Sequence, residues 1–197
     1  MKPLYSRGIF LAVLMMVVGI AQAQDLHPSR RPSPVGIAKT HLGDTYIKLT
    51  YGRPYIRERQ IFGMNNDSTT YLVPFGQVWR TGANEATEIT LTGPVMIAGS
   101  HLDAGTYSLF TEPGANRWVV HISPDLGLDG TGNFNAETQT FTQVFDPADD
   151  VLRLEVPSRQ ISDVVDQFTI SFEPSGTGAD MVLRWEKTEV RVPIQAM

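Results

Sequence analysis

The chain has 197 residues, 42% of them hydrophobic and 19% charged, with 16 Lys and Arg against 21 Asp and Glu. That length fits one domain with at most a short appendage, and the apolar content excludes wholesale disorder. The acid excess excludes a phosphate-backbone binder, and the absence of cysteine excludes disulfides, thiolate metal sites and cysteine nucleophiles.

Residues Met1 to Ala23 read as a secretory signal peptide. Lys2 and Arg7 form its basic start, Gly8 to Ile20 its apolar core, and Ala21-Gln22-Ala23 the small-residue cleavage site. The apolar run is shorter than the roughly 20 residues that span a bilayer, so no membrane anchor is expected after cleavage. The expectation is an exported protein, periplasmic or extracellular, with Gln24 as the first mature residue. Removing the segment takes the sixteen basic residues to fourteen against twenty-one acidic ones.

Residues 24–33 contain two prolines and no apolar period, which predicts an extended leader before a domain over 34–194. Within that domain the period is two. Thr45 to Tyr51, Glu88 to Thr92, Val151 to Val156, Phe168 to Phe172, Met181 to Glu186 and Val190 to Val192 alternate apolar and polar residues. Thr106 to Thr111 and Trp118 to Ser123 flank Glu112-Pro113-Gly114-Ala115-Asn116, a hairpin loop by composition. Short strands punctuated by glycine and proline predict an all-β fold: an antiparallel β-sandwich, jelly-roll-like, or a related barrel. Asp146 to Asp150 carries the one signal for a helical turn. The polar, glycine-rich Asp125 to Gln143 segment reads as a long loop with part of a strand.

The densest stretch is Leu72 to Thr87, with Trp79-Arg80-Thr81-Gly82-Ala83-Asn84-Glu85-Ala86-Thr87 at its core. Tyr51-Gly52-Arg53-Pro54 and Arg59-Gln60-Ile61-Phe62-Gly63 precede it, and Leu102 to Phe110 follows. Together with the closing Trp185-Glu186-Lys187-Thr188 and Val192-Pro193-Ile194, these runs resemble an exported bacterial family known as domain of unknown function 2911. The resemblance implies an exported, mostly β, single-domain protein, and it brings no reaction with it. Met64 to Tyr71 looks like an insertion relative to the family pattern.

Trp79 offers an apolar plate and Arg80 a planar five-donor fork. Gly82 and Asn84 tolerate turn dihedrals, and Glu85 can accept a bidentate pair from an arginine. Two readings stay open. In one, Arg53, Trp79, Arg80, Asn84 and Glu85 contact a small-molecule, glycan or protein ligand. In the other, Arg80 or Arg53 pairs with Glu85 and pins a structural turn. A secreted hydrolase acting on glycans, with Glu85 as acid or base and Glu88 as its partner, is the alternative class, so whether the chain is an enzyme is open. Odd spacing along a strand would turn those two carboxylates to opposite faces. His27, His41, His101 and His121 form no metal-ligand spacing, and the acid-rich stretches lack an EF-hand pattern, so no metal or cofactor is expected. No nucleophile elbow, phosphate loop or dinucleotide fingerprint is present.

Overall fold

Alternating burial drives the architecture. In β2 (Thr45–Gly52) the side chains of Thr45, Ile47, Leu49 and Tyr51 point inward while Tyr46, Lys48 and Thr50 are half-buried. β5 (Thr87–Leu91) repeats the pattern with Thr87, Ile89 and Leu91 inside. Such period-two segments bury one face and leave the other to solvent, as a sandwich requires. The computed structural model describes residues 31–66 and 69–197, so the segment read as a signal peptide and the expected leader up to residue 30 lie outside the described residues.

The remaining strands are β1 (Val35–Leu42), β3 (Phe62–Gly63), β4 (Val73–Pro74), β6 (Val95–Ile97), β7 (Ser100–Leu102), β8 (Gly105–Glu112), β9 (Arg117–Ser123), β10 (Gly132–Asn135), β11 (Thr140–Gln143), β12 (Leu152–Ser175) and β13 (Gly178–Ala196). Nine of the thirteen described strands form one sheet in the order β1-β2-β5-β8-β9-β12-β13-β6-β7, all antiparallel. β3 pairs with β4 in parallel and β10 with β11 antiparallel, each as a separate two-stranded sheet. The fold is all-β, as the alternation predicts, and the Glu112–Asn116 loop does join β8 to β9. A 3-10 turn, Pro147–Asp149, forms where the sequence signals one, with the Asp146 carboxylate accepting from the Ala148 N–H.

Two strands run far longer than their sequence segments indicate. Leu152–Pro157 of β12 pairs with β9, and from Ser158 onward the same strand pairs with β13. Register shifts between Gln160 and Thr169, and a positive φ of 53° at Glu186, bend this ribbon. Beyond the bend it reaches β2: the Tyr51 hydroxyl donates to Ile170 O and accepts from Ile170 N, and Tyr55 bridges to Gln167. The layer so formed closes over a core in which all three tryptophans meet. Trp79 stacks on Trp185 at 5.8 Å between ring centroids, while Phe62, Trp118 and Phe168 approach edge-on. Ala86, Phe110, Leu128 and Phe145 form a smaller satellite core. Among the described residues, no helix is long and apolar enough to cross a membrane.

Candidate functional site

The Trp79–Thr87 loop is held rigid from inside. Trp79 exchanges backbone hydrogen bonds with Thr111, and its indole N–H donates to Gly82 O at 2.9 Å. Thr81 is fully buried at φ 53°, an uncommon conformation for a β-branched residue. Its hydroxyl donates to Thr111 Oγ1 at 3.0 Å, and its carbonyl accepts from the Thr87 hydroxyl at 2.8 Å. Such strain persists only where surrounding bonds over-determine it. Asn84 also lies at positive φ, 65°, and its side-chain amide donates to Ser33 O.

The two halves of the sequence motif touch through a glycine. A Cβ at Gly52 would overlap the carbonyl oxygen of Ala83, so the Tyr51-Gly52-Arg53-Pro54 run carries glycine where the loop backbone presses on β2.

The arginines serve different partners. Arg53 donates to Phe168 O and Thr169 Oγ1, tying β2 to the ribbon. Arg80 Nη1 donates to Asn84 O at 2.6 Å and to Asp129 O at 3.2 Å, tying the loop to the segment before β10. Burial pushes the Arg80 guanidinium below its ordinary value, against the opposing charges of Asp129 and Glu85. The two guanidinium groups thus hold different segments, Arg53 the ribbon and Arg80 its own loop, with the Glu85 charge acting on Arg80. Glu85 is exposed at the loop surface. Trp79 is only 8% exposed, so the plate read from the sequence lies in the core, with little of its face toward solvent. Glu88, on β5, accepts from the Gly127 N–H.

A hollow of about 180 Å3 lies at this loop, lined by Arg59, Leu72, Trp79, Arg80, Asn84 and Trp185 among others. Trp79 and Trp185 back it from the core, and Arg59, Arg80 and Asn84 are among its polar lining residues. Arg59 is itself fixed by hydrogen bonds to Ile56 O and Tyr55 O.

Two polar clusters escape sequence reasoning. On β9, buried His121 places Nδ1 at 2.6 Å from Asp150 Oδ2 and Nε2 at 4.0 Å from Glu112 Oε2. Burial raises the Asp150 carboxyl, against the hydrogen bond from His121. Phe145 packs edge-on against the imidazole, which is sealed from solvent. The second cluster centres on Glu189, 2% exposed, which receives hydrogen bonds from Arg159, Arg184 and Arg191. Burial alone would raise its carboxyl, but the three guanidinium hydrogen bonds outweigh it and hold Glu189 down to about 2. Alternation places Glu189 and Arg191 on one face of β13, but Arg159 of the Glu189 cluster and Asp150 of the His121 pair come from positions about thirty residues away, which no local pattern shows. Among the described residues, no group of three or more His, Asp or Glu is arranged to hold a metal ion.

No curated protein and no solved structure matches the chain. A family model does, over residues 33–194, and with it the Trp79–Thr87 loop, its glycine contact and its hollow all fall inside one matched region: the chain belongs to the family described as protein of unknown function (DUF2911).

Proposed function

We propose that the protein is an exported, non-catalytic binding module that takes one small ligand group at the Trp79–Thr87 loop. The observation that supports this is the coincidence of the hollow with the densest sequence motif: Trp79, Arg80, Gly82, Ala83 and Asn84 all line it. The loop is rigid before any ligand arrives, which lowers the ordering cost of binding. At about 180 Å3 the hollow is smaller than the ~300–1,000 Å3 of pockets for drug-sized molecules. Its occupant is one side chain of a partner or a fragment of similar size, with an apolar body against the indoles and an acceptor toward Arg59 and Asn84.

The test is a fragment screen by NMR with small carboxylates, monosaccharides and short peptides, read at the indole N–H signals of Trp79 and Trp185. Binders should shift those signals, and Leu72→Trp, which places bulk at the half-open rim, should abolish the shifts while leaving the fold intact. A screen in which no fragment moves either indole would sink the reading. Export is tested separately by mass spectrometry of the mature protein, with Gln24 expected at its start.

A further inference from the structure

The β10–β11 hairpin stands outside both cores and is built unlike the rest of the molecule. Seven of its eight strand residues are exposed, yet two of them are phenylalanines. Phe134 and Phe141 lie directly opposite each other in the register, hence on the same face, and are 47% and 51% exposed. A lone two-stranded hairpin is marginal in water, and exposed aromatic pairs on one are characteristic of surfaces that meet a partner.

Its two edges differ. Asp129 caps the outer edge of β10: its N–H donates to Gly132 O and its carboxylate accepts from the Phe134 N–H. That outward Phe134 N–H marks Phe134 and Phe141 as a non-hydrogen-bonded pair, so the Phe141 N–H and C=O also point away from the hairpin. Among the described residues no strand pairs with that side of β11. Thr140–Gln143 also carries no lysine or proline, the devices that commonly blunt an open edge.

Charge selects the occupant. Residues 124–149 hold five acidic side chains (Asp125, Asp129, Glu137, Asp146 and Asp149) and no Lys, Arg or His. A second copy of this chain would bring the same charge to the same place. We propose that β11 accepts an extended, lysine- or arginine-bearing peptide segment of a partner protein as a third strand, with its cationic side chains over Phe134 and Phe141 and near the surrounding carboxylates. Backbone pairing to the Phe141 and Gln143 positions supplies the affinity, and the aromatic faces and acid field supply the selectivity. This surface is distinct from the hollow at Trp79 and does not depend on it.

The experiment titrates the isotope-labelled full chain with a short alternating lysine–valine peptide and, in parallel, its glutamate–valine counterpart. Amide shifts should concentrate in residues 140–143, the Phe141 and Gln143 amides should gain hydrogen-exchange protection, and the lysine peptide should bind at least about tenfold tighter. Phe141→Pro, which removes the outward N–H, should abolish binding. Phe134→Ser, which leaves the β11 backbone untouched, should weaken it about tenfold even if the proline variant disturbs the hairpin. Equal binding of the two peptides, shifts that lie elsewhere, or full binding by Phe134→Ser would overturn the proposal. So would concentration-dependent self-association through the hairpin, since that would make a second copy the occupant.

Discussion

Replacing Glu189 with glutamine removes the charge at the centre of the ribbon's ionic cluster while keeping the side chain's shape. In the native protein Arg159, Arg184 and Arg191 all donate to this one buried carboxylate, at 2.6, 2.6 and 2.8 Å. The distance from the ordinary 4.5 to about 2, at ~1.36 kcal/mol per pH unit, amounts to about 3 kcal/mol. Solvent reaches Arg159, whose side chain is 63% exposed, so that figure is an upper one. The sign follows from linkage: a carboxylate held low in the folded state stabilises the fold above pH 4.5, and that contribution disappears as the pH falls toward 2. Denaturant unfolding of the wild type and Glu189→Gln across this range is the assay. The variant should be about 2–3 kcal/mol less stable at pH 7, and the gap should close progressively between pH 4.5 and 2. A deficit below ~1 kcal/mol at neutral pH, or one that stays constant down to pH 2, would refute the reasoning.

At Gly52, alanine would drive its methyl into the Ala83 carbonyl, so Gly52→Ala should cost about 1–3 kcal/mol by denaturant unfolding and move the Trp79 and Trp185 indole signals together; unchanged indole spectra would refute the contact. At the buried His121–Asp150 pair, Asp150→Asn keeps a hydrogen-bonding group for the imidazole and removes a desolvated charge, so stability at pH 7 should change by less than about 1 kcal/mol. Asp150→Ala should lose about 1–3 kcal/mol by leaving His121 Nδ1 without its partner, and an equal loss in both variants would show that the charge matters more than the hydrogen bond.

Much of the fold was legible because alternation and burial coincide. Ile47 and Leu49 in β2, Ile89 and Leu91 in β5, and Val120 and Ile122 in β9 sit on the inner face as their spacing predicts. The continuity of β12 was not legible, because Arg159, Gln160, Asp163 and Val164 cross the bend with both faces toward solvent and leave no period to read. The β10–β11 hairpin is hidden for the same reason: a strand without a buried face has the composition of a loop. The Trp79–Thr87 motif stood out in the sequence as a site, but which atoms it presents did not. Trp79 turns inward because Phe62, Trp118, Phe168 and Trp185, all remote in sequence, supply aromatic neighbours that no local pattern encodes. Asp150, likewise, gives no sign at the sequence level that a histidine 29 residues earlier will meet it.

The sheet order also sets a timetable. β6 finds its partner at Ile194–Ala196, and β7 hangs on β6 alone. A chain that folds from its N-terminus can therefore zip β1 to β2 and β8 to β9 early, since those pairings are local. The β6–β7 hairpin, Val95–Leu102, can form as early, but it must wait undocked until the far arm of β13 arrives. Closing so long a loop is entropically slow, and the interval leaves a short two-stranded hairpin with no sheet to join. Chains clipped before Ile194 should thus keep a native-like first layer while Val95, Ile97 and Leu102, fully inside in the finished protein, stay open to proteases.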